Sequence, residues 1–197
     1  MEENTLTLLC AAKKYVNEGV VIVPLKPRSK YNFSIKDFRK TIRTTDAAEH
    51  MWGFCAKANI SAPTSKKYNN WIVIDIDVKN GIDGVEKIRK LISANKLSLP
   101  ETAVSKSGSG GFHCYYRNIK DTTIPSSDGR SLGIDIRAEK AYIILPPSIH
   151  FSGKQYEWFV GDIEDISNAN EDVYKLVDIV NELNNKEKQR RDTHGNT

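Results

Sequence analysis

The residue types able to do chemistry fall into three short runs. The first is Trp71-Ile-Val-Ile-Asp75-Ile-Asp77. On an extended chain alternate residues share a face. Ile72, Ile74 and Ile76 therefore point to a core, and Asp75 and Asp77 point together the other way. Two like charges on one face repel unless a cation sits between them, and carboxylate oxygens suit hard ions such as Mg²⁺ or Mn²⁺. The plainer alternative is a pair of solvated acids at a strand end, beside the Asn80-Gly81 turn. The second run is Ser105-Lys-Ser107-Gly108-Ser109-Gly110-Gly111-Phe-His113. Glycines let a ligand approach the backbone, and successive N–H groups form a nest for phosphate. No Gly-Lys-Ser/Thr follows and a strand comes next, so this is not a Walker A loop. Alone it also fits a hairpin loop with an incidental histidine. The third run is Gly133-Ile-Asp135-Ile-Arg137, followed by Pro146-Pro147-Ser148-Ile-His150-Phe-Ser-Gly153. Asp135 repeats the pattern of Asp75, an acid between buried isoleucines. An Asp-x-Arg pair on a strand is by itself most simply an ion pair.

These residues need strands to hold them. Residues 71–78 give the strongest strand signal, and residues 102–105, 112–118, 133–137, 142–145 and 155–160 also read as strands. Residues 5–18 have helical apolar spacing (Leu9, Ala12, Val16) and stop at Gly19. A short strand is expected over residues 20–25 and another over 59–62. Asp46 is a candidate cap for a helix ending near Phe54. Asp83-Gly-Val-Glu86 has the capping-box pattern ahead of Val85, Ile88 and Ile92. Asn170 caps a final helix with Val173, Leu176, Val177, Val180 and Leu183 on one face. Helices between and after runs of strands indicate an α+β protein.

Composition narrows the class. The chain has 197 residues, 39% hydrophobic and 27% charged, which suits a globular domain and excludes a disordered one. No apolar run reaches the ~20 residues of a membrane helix. The acidic start, Met-Glu-Glu-Asn, lacks the layout of a signal peptide. Three scattered cysteines give neither a CxxC pair nor a disulfide framework, so the reducing cytoplasm is the expected location. Residues 13–43 carry nine basic side chains against two acids, and residues 162–187 carry eight acids against two lysines. This asymmetry suggests a basic surface for a polyanion and an acidic rear, or two solvated faces that differ. In the basic stretch, Lys26, Arg28, Lys30 and Arg39 accompany Tyr31, the composition expected of a surface for single-stranded DNA.

Taken in order, the runs are far more specific than any one of them. Asp-x-Asp on a strand, Ser-Gly-x-Gly-Gly-x-His, a strand acid, then Pro-Pro-Ser-x-His-x-Ser-Gly with Tyr-x-Trp after it resembles the bifunctional primase/polymerase (Prim-Pol) family of the archaeo-eukaryotic primase superfamily. Residues 12–30, Trp52 and Asn59-Ile60 share in the likeness, which runs from about residue 6 to 160. The resemblance implies a primase-like core: a small N-terminal α/β unit packed on an antiparallel sheet related to the RNA-recognition fold. It implies two divalent ions, Mg²⁺ or Mn²⁺, held by Asp75, Asp77 and Asp135. It implies that Ser107, Gly108, Ser109, Gly110, Gly111, His113, Arg137, Ser148 and His150 bind the incoming nucleoside triphosphate. Related primases carry a basic residue inside the glycine loop where this chain has Ser109 and Gly110. Lys106, Arg137, Lys140 and Lys154 are candidates to replace it.

The expected activity is template-directed nucleotidyl transfer on single-stranded DNA, for replication of a mobile element. A replicative helicase is expected on a separate chain or a further region. Two rivals are a catalytically silent nucleic-acid-binding module of the same fold and a metal-dependent nuclease. The nuclease would explain the acids but not the phosphate-type loop. The expected organisation is a core over residues 1–165, a C-terminal helix over 166–185 and a disordered charged tail over 186–197.

Overall fold

The computed structural model describes residues 2–33, 40–79 and 81–194. Five strands form the central antiparallel sheet in the order β10 (Glu157–Val160), β6 (Val104–Lys106), β7 (Phe112–Arg117), β3 (Trp71–Ile76), β8 (Ile134–Arg137). A two-residue strand, β11 (Ser167–Asn168), adds in parallel to the end of β7. Alternation along β3 and β7 divides the core in two. Ile72, Ile74, Ile76 and Tyr116 pack under α3 (Gly84–Ala94) and α4 (Glu171–His194). Trp71, Val73 and Tyr115 face the N-terminal unit.

That unit contains α1 (Glu2–Asn17), β1 (Val23–Leu25), α2 (Thr45–Phe54) and β2 (Asn59–Pro63). It takes a third strand from much later in the chain: β9 (Tyr142–Leu145) pairs with β2 in the order β1-β2-β9. The chain leaves the central sheet at β8, crosses to the small sheet at β9 and returns at β10. The path, residues 138–156, carries β9 and the loop with Ser148 and His150. A hairpin of β4 (Val78–Lys79) and β5 (Ile82–Asp83) leads into α3, whose first turn is capped by Asp83 accepting from Glu86 N at 2.9 Å.

Three local expectations need correction. The cap of α2 is Thr44, whose Oγ1 accepts from Ala47 N, and Asp46 lies in the first turn, where its charge favours the helix dipole. The expected apolar stripe of α4 does not end on Leu183, which is 37% exposed. Its last buried positions are Asn181 and Asn184, whose amides meet backbone groups that a leucine could not satisfy. The charged segment expected to be disordered continues α4 as far as His194. Same-helix pairs such as Lys186–Glu182 and Arg191–Glu187 support it there. Among the described residues, no helix is long and apolar enough to cross a membrane.

Candidate active site

Asp75 sits at the centre of a row across three strands. Its cross-strand neighbours are His113 on β7 and Asp135 on β8. All three side chains emerge on the face that Val73 and Tyr115 bury further along, just beyond the edge of the N-terminal unit. His113 is only 5% exposed. Its Nε2 lies 3.5 Å from Asp75 Oδ1, and its Nδ1 lies 3.3 Å from Ser105 Oγ. Burial lowers the imidazole's pKa below its ordinary value, against the opposing pull of Asp75, so the ring is neutral at neutral pH. His113 thus lies beside Asp75, across the β3–β7 pair.

Arg137 runs along the seam between the acids. It reaches Asp75 Oδ2 at 3.5 Å, Asp128 Oδ1 at 2.8 Å and the Asp135 carboxylate. Asp135 also accepts from Gly129 N at 2.6 Å. Burial pushes the Asp135 carboxyl up to about 6, with Asp75 and Asp128 adding to the rise, while Arg137 and the Gly129 N–H hold it down. Asp77 lies just past the end of β3, where its N–H bonds to Gly133 O and its carbonyl accepts from Gly84 N. A Cβ on Gly84 would fall on Gly133 O and lie 2.7 Å from Asp77 O, so only glycine permits this approach.

The glycine loop flanks the same strand end from the β7 side, where a Cβ on Gly111 would fall on Ile76 O. Ser107 N donates to Gly111 O, and Gly110, at φ +96°, donates to Ser107 O. The N–H groups of Gly108 and Ser109 have no acceptor among the described residues. A Cβ on Gly108 would strike His150 Cβ, and Ser152 Oγ donates to Gly108 O at 3.4 Å. The glycine loop and the 148–154 loop are therefore one packed unit, and Tyr156 places its ring 6.0 Å from both His113 and His150.

Ser148 is placed differently from its expected part in nucleotide binding. It is fully buried, and its hydroxyl accepts from Ile60 N at 2.8 Å and donates to Ile60 O at 3.1 Å. It pins the loop to β2. Asn59 does the same from the other side, bonding Ile149 N and O and also Ser29 O. That last bond ties the basic turn to the site. The turn is closed by Lys26 N donating to Tyr31 O, and it exposes Lys26, Arg28, Lys30 and Tyr31. Arg28 donates to Phe151 O at 3.2 Å, and Tyr142 Oη donates to Lys30 O at 2.7 Å. Arg39 lies outside the described residues, as do Lys36 and Phe38.

Sequence reasoning missed Asp128, Tyr142 and Phe151. Asp128 lies in a Ser-Ser-Asp-Gly turn with no spacing relation to Arg137. Phe151, 75% exposed with its ring tilted against His150 at 4.0 Å, is legible in sequence as an aromatic inside a Ser/Gly loop.

Three carboxylates on one face have the donor chemistry of a hard-cation site. Among the described residues, however, no three Asp, Glu, His or Cys side chains are gathered closely enough to hold an ion as they stand. Arg137 supplies the positive charge between Asp75 and Asp135.

Fold and site together define a class: an α+β protein with a primase-like sheet, acids in its middle strands and a glycine loop at its mouth. The family model of the bifunctional DNA primase/polymerase N-terminal domain, Prim-Pol, matches residues 12–172, and the chain belongs to this family. No curated protein matches it closely.

Proposed function

We propose that the chain is a template-directed DNA primase/polymerase that transfers nucleotides from nucleoside triphosphates to a 3′-hydroxyl. One observation carries the reading: Asp75 stands between His113 and Asp135 on a single sheet face that opens toward the glycine loop and His150. In the transfer the 3′-hydroxyl gives up its proton to solvent and its oxygen bonds to the α-phosphorus, the bond from that phosphorus to the oxygen bridging to the β-phosphate breaks, and pyrophosphate leaves. No protein nucleophile is needed.

Asp75, Asp77 and Asp135 would hold Mg²⁺ or Mn²⁺. Bound divalent ions acidify the attacking hydroxyl and neutralise the triphosphate. His113 fixes the Asp75 carboxylate. The Gly108 and Ser109 N–H groups, with His150, line the place of the β- and γ-phosphates. Arg137, released from the acids, would serve the same phosphates as a charge-assisted donor. Lys26, Arg28, Lys30 and Tyr31, with Arg39, would carry the single-stranded template. A helicase working beside the protein, the replication of a mobile element and a cytoplasmic location belong to the same proposal.

A second reading is a silent nucleic-acid-binding module, favoured by Arg137 standing among the acids where an ion would sit. Calorimetry separates the readings. Titration with a nucleoside triphosphate and Mg²⁺ should give saturable binding that Asp75→Asn weakens at least about tenfold, since positioning and charge neutralisation both fail. No binding by the wild type would leave only the silent module or a nuclease.

A further inference from the structure

The family match ends at residue 172, yet the arm of the site carrying Asp128 and Asp135 is held by residues beyond it. Asn181, Asn184 and Glu187 recur every three residues and share a face of α4. Asn181 Nδ2 donates to Pro125 O at 3.3 Å. Asn184 is 2% exposed, and its Nδ2 donates to Ser127 Oγ and Ile134 O, each at 3.0 Å. Glu187 accepts from Ser131 N at 3.0 Å. These bonds bracket the turn at residues 125–131. From that turn Gly129 N bonds Asp135, and Asp128 pairs with Arg137.

We propose that Asn184 is a positioning residue for the candidate active site, setting the Asp135 carboxylate and Arg137 through the Ser127–Gly129 turn. The proposal rests on the nucleotidyl-transfer reading. Two features separate this part from ordinary packing. First, the Asn184 side chain lies where a Gly129 Cβ would be, so the amide seats directly on the residue whose N–H holds Asp135. Second, the Oδ1 atoms of Asn181 and Asn184 are buried without a hydrogen-bond partner. A buried acceptor left unpaired costs stability, so an apolar residue would serve packing better than the amide does. What the amide adds is two donors, one to Ser127 Oγ in the turn and one to Ile134 O at the start of β8, the strand that carries Asp135.

The test uses the full chain without metal, then with it. Asn184→Ala and the volume-keeping Asn184→Leu are compared with Asn185→Ala, an exposed neighbour. In ¹⁵N–¹H spectra, the Gly129 amide should move in both Asn184 variants toward its position in Asp135→Asn, and stay in place in Asn185→Ala. Primer extension by the same folded variants should fall about tenfold or more, the scale of a misplaced reacting group. Should Asn184→Ala fail to fold, Asn184→Leu carries both readouts. An unmoved Gly129 amide in folded Asn184→Leu overturns the proposal. So does a shifted amide with wild-type extension. If the wild type extends nothing, the nucleotidyl-transfer reading fails and takes the positioning part with it. The Gly129 shift then still shows whether the α4 linkage exists.

Discussion

Asp135 is pulled in opposite directions. Burial and the neighbouring Asp75 and Asp128 favour its neutral form, while Arg137 and the Gly129 N–H favour the carboxylate, and the balance lies at about 6. The linkage has a definite sign. The folded-state value is above that of an unfolded aspartate, so between about pH 4 and 6 the folded protein binds more protons. The carboxyl therefore costs stability fully above pH 6, and the cost is relieved as pH falls toward 4. Metal-free wild type should gain on Asp135→Asn on the order of 1–3 kcal/mol between pH 7.5 and 4.5, as read from urea unfolding at the two values. A stability difference that does not change with pH would mean that Asp135 titrates normally. The same crowding of acids explains why Arg137 occupies the seam, where it is the nearest positive charge.

The site depends on where three elements end. β3 runs out at Ile76, α3 begins at Gly84, and the chain enters β8 through Gly133, which takes φ +70°. These ends meet backbone to backbone, with Gly84 against Gly133 O and Asp77 O. Gly84→Ala should cost about 1–3 kcal/mol in denaturant unfolding, because the clash is with main chain and no side chain can rotate away. It should also reduce nucleotide binding by displacing Asp77. Unchanged stability would show that the helix start can shift freely.

The strands themselves were legible because their period-two pattern is strong. Ile72, Ile74 and Ile76 alternate with Val73 and Asp75, so β3 and the face of its acid follow from sequence. Ends and partners were not legible to the same degree. Nothing in Tyr142-Ile-Ile-Leu145 marks it as the third strand of the N-terminal sheet, since strand pairing is decided by long-range packing. Nor does the spacing of Asn181, Asn184 and Glu187 reveal a turn 56 or 57 residues earlier as their target.

Across the whole molecule, charge is divided less simply than the two runs suggested. The acidic stretch is not a single rear face. Asp162 and Glu164 pair with Lys14 on α1, Glu171 pairs with Lys120, and Glu187 caps the turn at Ser131. Local partners used these acids, and composition could not show that. The basic turn does stand beside the site, with Arg28 tied to Phe151, Lys30 to Tyr142, and Tyr31 67% exposed. Exposed aromatics next to cations suit unpaired bases. The triple change Lys26→Ala, Arg28→Ala, Lys30→Ala should weaken binding of single-stranded DNA of any sequence. It should also flatten the slope of log affinity against log salt by roughly 0.7 for each phosphate that is no longer neutralised. Anisotropy at several salt concentrations reads this directly, and an unchanged slope would send the template elsewhere.

The most direct measurement is synthesis itself. Wild type and Asp75→Asn are each incubated with single-stranded DNA, with and without a primer, with deoxy- or ribonucleoside triphosphates and with Mg²⁺ or Mn²⁺. Template-dependent product is expected from the wild type with at least one combination. None is expected from the variant, whose melting temperature should match or exceed the wild type's because one of the carboxylates crowded around Arg137 is gone while Asp128 and Asp135 still pair with it. Product formed at the wild-type rate by folded Asp75→Asn, or no product from the wild type under any combination, would contradict the assignment.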